Sequence, residues 1–440
     1  MTEPATRILI DLPDEAATIR LAEDIAAAVG VGDVLALQGD LGAGKTTLAR
    51  AMIRAIAGDP DLEVPSPTFT LVQTYEGGAV PVSHFDLYRI ADPDETDEIG
   101  LAAAAEDTLV LVEWPERAGH RLPEERITIT LGMAGTGRHA EIVATPHRLA
   151  AIRRALAARA VMDRAGLAGA RRSRLAGDAS ARRYERIAAE AGSAVLMDWP
   201  PAGQLAPDDP RARFRAGGPA TFVAVAEALR GAGVSVPRIL AADVAAGLVV
   251  MEDFGTPGLA PDGHPDADAY AAAVDVLAAL HAVPRPERIP SEGGWHVLPR
   301  LTGGALQAEL TLFADAYAAG VRGVPLDAPA RAGLAAIWTR LDGILQETQQ
   351  GWVLFDVQSP NLFRLPGGGI GIIDFQDMFY GPVAYDVASL VNDARVAIPE
   401  SLGAALLDRY RAARARPGGN FDAEAFDRAF AITAALRHSK

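Results

Sequence analysis

Gly39-Asp40-Leu41-Gly42-Ala43-Gly44-Lys45-Thr46 satisfies every fixed position of the spacing G-x-x-x-x-G-K-T. The apolar run Val34-Leu35-Ala36-Leu37-Gln38 precedes it, and Thr46 to Ala57 reads as a helix behind it. Strand, glycine loop and helix in that order make a phosphate cradle. Glycines let backbone N–H groups close on an anion, and the helix N-terminus adds a favourable dipole. Lys45 brings a positive charge to the outer phosphates, and the Thr46 hydroxyl is a ligand that magnesium accepts. The expected ligand is ATP with Mg2+, held by Gly39, Gly42, Gly44, Lys45, Thr46 and Thr47. The bland alternative is a glycine-rich turn that binds nothing.

Around this loop the chain alternates strand-like and helix-like runs, which predicts an α/β domain. Leu9 to Leu12 reads as a short buried strand. Thr68 to Tyr75 and Val80 to Leu87 are β-rich and flank Glu76-Gly77-Gly78, a hairpin signal. Leu109 to Val112 is another strand, ending on Glu113-Trp114. Ile127 to Leu131 and Glu141 to Ala144 close the block. From Arg148 to Arg186 the chain is rich in arginine and alanine, which reads as a solvated amphipathic helix joining two domains. Beyond it, Ser173 to Ala176, Arg182 to Ile187 and Ala194 to Met197 suggest an antiparallel β unit, followed after Val250 by a mostly helical stretch. The expected division is a P-loop domain over 1–146, a linker helix over 147–172 and a kinase-like domain over 173–440. In the last of these a small β-rich lobe ends near 255.

At 440 residues, 49% of them hydrophobic and 22% charged, the chain has core material for two or three domains. With no cysteine, disulfides, thiolate metal sites and thiol nucleophiles are excluded. No apolar run approaches the roughly 18 residues that span a bilayer, and the acidic start lacks a secretory layout. A cytoplasmic protein without a membrane role is expected. The formal net charge of −16 argues against direct binding of nucleic acid, so any tRNA in its work would be held by a partner. Ala431 to Lys440 reads as a helix still in progress at the chain end.

Downstream of the phosphate loop lie Ser66-Pro67-Thr68-Phe69, His84-Phe85-Asp86-Leu87-Tyr88-Arg89 and Val112-Glu113-Trp114-Pro115. With the loop, over about residues 8 to 145, they resemble the bacterial TsaE family, ATPases that serve synthesis of threonylcarbamoyladenosine in tRNA. The resemblance implies that Thr68 sits in a switch-like loop and that Trp114 packs near the nucleotide. It makes Asp86 and Glu113 the magnesium-binding or water-positioning carboxylates. It also implies TsaB/TsaD-like partner proteins. Asp86 could instead simply pair with Arg89, and His84 reads as structural. A P-loop kinase is disfavoured because the block is short and shows no acceptor lid.

A second set lies in Leu354-Phe355-Asp356-Val357-Gln358-Ser359-Pro360-Asn361 and Ile372-Ile373-Asp374-Phe375-Gln376-Asp377. An Asp, an Asn five residues on and an Asp after a short hairpin follow the catalytic order of kinase-like folds. Asp356 would take the proton of the acceptor hydroxyl, and Asn361 and Asp374 would hold Mg2+. From about Leu175 to Arg395 this half resembles the aminoglycoside phosphotransferase-like family, an α+β kinase fold. Leu248 to Gly255, including Glu252, looks like the strand whose backbone meets adenine, and His281 and Asp386 read as structural.

Two departures stand out. Leu354 occupies the place where the family often has His, and the strand Val195-Leu196-Met197-Asp198 carries no lysine. Lysine occurs only at positions 45 and 440. Leu175 to Ser180, Arg183-Tyr184 and Leu196 to Asp198 resemble the AmgK-like kinases that phosphorylate the anomeric hydroxyl of N-acetylmuramate or N-acetylglucosamine in cell-wall recycling. There Gly177 and Ser180 would cover the phosphates. The resemblance leaves open a non-catalytic scaffold, or a kinase for an aminoglycoside or choline-type acceptor.

Overall fold

In the computed structural model, β1 (Arg7–Leu12) leads into α1 (Glu15–Ala28), whose first turn is capped by Asp14 accepting from Ala17 N at 2.7 Å. β2 (Val34–Gln38) and α2 (Lys45–Ala57) enclose the glycine loop. β3 (Val72–Tyr75), β4 (Val82–Asp86), α3 (Glu95–Glu98), α4 (Leu101–Asp107) and β5 (Leu109–Glu113) follow. β6 (Ile127–Ala134), β7 (Gly137–Val143) and α5 (Pro146–Arg164) complete the block. The structure describes residues 7–175, 182–190, 192–199, 217–301, 313–415 and 421–438.

The seven strands form one sheet in the order β1-β7-β6-β2-β5-β4-β3. β2 runs parallel to β5 and β6, and β4 parallel to β5. A central parallel strand is covered on both faces, which is why residues 34–37 are uniformly apolar. Leu35 and Leu37 pack against Leu21, Ile25, Leu48, Met52, Leu149 and Ile152 of the three long helices. Val34 and Ala36 point to the opposite core, with Phe85, Val110 and Leu101.

The β-rich run predicted from Thr68 begins later. Residues 67–71 form a turn closed by Leu71 N donating to Pro67 O, with Leu71 at φ 65°, and β3 starts at Val72. The linker helix also differs from expectation. It spans Pro146–Arg164, and its buried face includes a charged residue, Arg159, beside Leu149, Ile152, Ala155, Ala158, Val161 and Met162. Arginine frequency marks charge along the chain, whereas burial depends on what those charges meet.

β8 (Arg171–Arg174), β9 (Arg183–Ala189), β10 (Gly192–Asp198), β11 (Ile239–Asp243) and β12 (Leu248–Glu252) make a second sheet, ordered β11-β12-β10-β9-β8. Compactness divides the chain into two units. The first takes Met1–Asp198, Leu240–Asp243 and Leu248–Met251, so it contains both sheets; the second takes the remainder.

Within the first unit, charged residues of α1, α5, β8 and β9 meet out of solvent. Arg172 donates to both carboxylate oxygens of Glu185, at 2.8 and 2.9 Å, and to Asp24. Arg159 donates to Asp24 and Glu23 and to the carbonyl of Ala170. All five side chains are buried.

The second unit holds α6 (Pro219–Gly231), α7 (Ala267–Ala282), the hairpin β13 (Arg288–Ser291) and β14 (Gly294–Val297), and α8 (Ala328–Gln346). β15 (Gln350–Val353) pairs with β18 (Phe379–Pro382), and β16 (Leu362–Arg364) with β17 (Ile370–Ile372). α9 (Ala384–Val391), α10 (Glu400–Arg414) and α11 (Ala423–His438) close it, α9 packing on α11 and α7 on α10. Among the described residues no helix is long and apolar enough to cross a membrane.

Candidate active sites

The first site forms where parallel strands end together. The phosphate loop follows β2, Asp86 ends β4 and Glu113 ends β5, with Asp86 opposite Glu113 and Leu37 opposite Glu113 in register. Open α/β sheets bind ligands at this carboxyl edge. Two glycines of the loop are dictated by geometry. Gly44 sits at φ 107° as helix N-cap, and a Cβ on Gly39, at φ 139°, would lie 2.5 Å from Leu131 O. Gly42, at φ 79°, lies in the same turn.

Lys45 is buried and donates to the carbonyls of Gly39 and Asp40 at 2.7 and 3.0 Å. Its Nζ lies 3.7 Å from the centre of the Trp114 ring, which itself packs on Tyr88 at 5.1 Å. Burial pushes the Lys45 ammonium below its ordinary pKa, with the Glu113 charge working the other way. The Thr46 hydroxyl donates to Glu113 Oε2 at 2.8 Å. Thr68 donates to Asp86 Oδ2 at 2.5 Å, with Ser66 at 3.3 Å, and Tyr88 N donates to Oδ1. Asp86 therefore holds the turn that carries Ser66 and Thr68. Arg89 lies over the Phe69 ring instead. The Thr47 side chain lines a neighbouring cleft with Arg50 and Arg54.

A hydroxyl beside two strand-end carboxylates suits Mg2+, which takes one or two protein oxygens and fills its remaining positions with water and phosphate. Thr46, Glu113 and Asp86 are the residues that would hold it. His84 was not singled out by spacing, yet it is fully buried and its Nε2 donates to Glu113 Oε1 at 3.0 Å. The residue order His-x-Asp on one strand, with Glu ending the next, is the signal that pairs them.

The second site is a short loop between β15 and β16. Asp386 is fully buried on α9 and accepts from Leu354 N and Phe355 N at 2.8 and 3.1 Å. Those bonds fix the backbone at Phe355, which adopts φ 78°, immediately before Asp356. The Asn361 amide donates to Asp356 O at 2.9 Å, leaving its carbonyl oxygen for a cation. Ile373 N donates to Asn361 O, so Asp374, at φ 58°, stands next to Asn361 across the small hairpin. Asp356, Asn361 and Asp374 are thus brought together on a scaffold of backbone bonds, and the amide and carboxylate suit a hard cation.

Sequence reasoning did not identify two further supports. Gln376 donates to Asp374 Oδ1 at 3.0 Å, and buried Asp393 accepts from Ser359 N and the Tyr270 hydroxyl. His281 lies on α7, 3.6 Å from Asp386 and bonded to the Tyr410 hydroxyl. Glu252 ends β12, its N–H given to Arg238 O and its carboxylate accepting from Arg238 N. Gly177 and Ser180 lie outside the described residues. At the strand position without lysine, Asp198 accepts from Arg154 of α5 at 2.7 Å.

The family described as threonylcarbamoyl adenosine biosynthesis protein TsaE matches residues 12–140, and the phosphotransferase enzyme family matches residues 171–419. An N-acetylmuramate/N-acetylglucosamine kinase of Caulobacter vibrioides is 35% identical over 270 residues, which are 57% of this chain and 74% of that one. The kinase of the same description from Pseudomonas aeruginosa is 37% identical over 235 residues, 53% of this chain and 63% of its own length. The tRNA threonylcarbamoyladenosine biosynthesis protein TsaE of Rickettsia conorii is 35% identical over 137 residues, 31% of this chain and 78% of that protein. The chain is therefore an enzyme that fuses two families, belonging to the TsaE family through its P-loop block and to the phosphotransferase enzyme family through the larger part that follows.

Proposed function

We propose that the chain carries two ATP-dependent activities, an ATPase that serves threonylcarbamoyladenosine synthesis in tRNA and an amino-sugar kinase of cell-wall recycling. The functional division assigns 1–146 to the ATPase, 147–172 to the connecting segment and 173–440 to the kinase. ATP and Mg2+ are the cofactors of both. TsaB/TsaD-like proteins are the partners of the ATPase, with tRNA held by them, and the location is the cytoplasm.

The observation that carries the kinase reading is the Asp356 loop, fixed by Asp386 beside Asn361 and Asp374. It belongs to a stretch similar to an N-acetylmuramate/N-acetylglucosamine kinase. Asp356 accepts the proton of the sugar's anomeric hydroxyl as that oxygen bonds the γ-phosphorus and the bond to the ADP oxygen breaks. Asn361 and Asp374 would hold Mg2+, which would supply positive charge against the phosphates. The missing strand lysine favours a second reading, a nucleotide-binding scaffold without turnover.

Transfer of labelled phosphate from ATP by the full chain separates the two. Acceptors are N-acetylmuramate, N-acetylglucosamine, an aminoglycoside and choline. Transfer to the amino sugars is expected, falling by about 10²–10⁴-fold in Asp356→Asn, as loss of a general base does. Transfer to choline or the aminoglycoside instead would correct the substrate, and no transfer to any of them would leave the scaffold.

A further inference from the structure

α1, α2, β8 and β9, all in the first unit, surround a cleft of about 230 Å³ that neither set of catalytic residues uses. The charge inside it is uneven. Arg172 is neutralised by Glu185 and Asp24, and Glu23 by Arg159. Arg50, Arg54 and Arg171 also line the cleft, and among the described residues none of them has a carboxylate partner. Glu15 at the rim is the one acidic side chain there without a basic partner. In a chain of net charge −16, three guanidiniums without a carboxylate partner around one cavity suit an anion. Between them lie Ile19, Ala51 and Ala55, an apolar surface, with the hydroxyls of Thr47 and Ser173 beside it. A ring with an apolar face and polar edges, carrying a phosphate, would use all of these features.

The same arginines reach the ATPase machinery. Arg50 Nε donates to Val64 O at 3.0 Å and Arg54 Nε to Leu62 O at 2.9 Å, which leaves their terminal nitrogens for the cleft. Val64 stands two residues before Ser66, which bonds Asp86 together with Thr68. The guanidiniums thus clamp the segment that leads into the switch-like loop. An anion that fixes them changes how that segment is held.

We propose that this cleft binds a sugar phosphomonoester, and that its occupancy alters ATP turnover at the P-loop. The cleft itself stands on the geometry. The choice of a sugar ester rests on the kinase reading, since such an ester is what that half would release. The test adds the ester ready-made, so a failure of the kinase assay cannot produce or hide the result.

Phosphate release from ATP by the full chain is followed while N-acetylglucosamine 1-phosphate is titrated in. This ester has no free anomeric hydroxyl and is not an acceptor for the kinase. Expected is a saturable change of roughly threefold or more in the ATPase rate. Half-saturation should rise by roughly tenfold or more in Arg171→Glu, whose exposed side chain can change without disturbing the core, and in Arg54→Met. Inorganic phosphate should bind more weakly than the ester. No saturable response, or an unchanged one in both variants, would overturn the site. Equal affinity for inorganic phosphate would overturn the sugar ester as its ligand.

Discussion

His84 has no exposure to solvent, and its Nδ1 has no hydrogen-bond partner among the described residues. Its Nε2 alone is engaged, on the oxygen of Glu113 that Thr46 does not use. A carboxylate held from both sides presents one fixed orientation to a cation and a water, which is how outer residues tune a metal site. His84→Phe should therefore lower ATP turnover by about 10–100-fold while nucleotide affinity stays within a few-fold, and His84→Gln should recover part of the rate. Binding titration beside steady-state kinetics decides it, since an equal loss in both quantities would mean a general packing defect. The sequence displays His84, Asp86 and Glu113 as residues and nucleotide chemistry as their use. It does not display which oxygen meets which donor, because that is fixed by the parallel register of β4 and β5.

At the scale of elements, what could be read from the sequence depended on whether the signal was local. The phosphate loop, the strand and helix that flank it and the Asp356 to Asn361 loop are local patterns, and each is found where its spacing puts it. The charge cluster of α1, α5, β8 and β9 is not. Arg159 and Arg172 stand in an arginine-rich stretch that looks solvated, and their partners Glu23 and Asp24 are some 135 to 148 residues away. Gln376 and Asp393 were missed for a similar reason, because a polar residue in an apolar run shows its depth only once the helices have packed. Burial alone would lower the Arg172 pKa, and Glu185 and Asp24 reverse that, keeping it charged. Removing one member leaves the others charged and dry, which costs about 3–5 kcal/mol. Arg172→Met should lose that much in urea unfolding followed by circular dichroism, and the double change with Asp24→Asn should lose less than the sum of the two. A loss under about 1 kcal/mol for the single change would mean that water reaches the cluster.

For the whole molecule, the two sets of candidate catalytic residues share no side chain. Lys45 and Glu113 stand at the edge of the first sheet, and Asp356 and Asp374 lie in the second unit. Lys45→Ala should abolish nucleotide binding by the P-loop block and leave sugar phosphorylation within about twofold, and Asp356→Asn should abolish sugar phosphorylation and leave nucleotide binding by the P-loop block within about twofold when no sugar phosphate is present, as expected for sites that share no residue. Loss of both activities in either variant would show that the sites are obligately linked.

The buried arginine cluster has a further consequence, for anyone who would take the protein apart and for the lineage that put it together. One family match ends at residue 140 and the other begins at residue 171, but the seam that keeps water out follows neither edge. A scission between them, ahead of α5, would strip Glu23 and Asp24 of both their arginines and bare the face of α1 that α5 covers. The fragment to express is one that runs on through Asp198, where the first continuous stretch of that unit ends. By the same token, a deletion that began at residue 171 would take Arg172 from Asp24, so the fusion does not come apart cleanly at that edge.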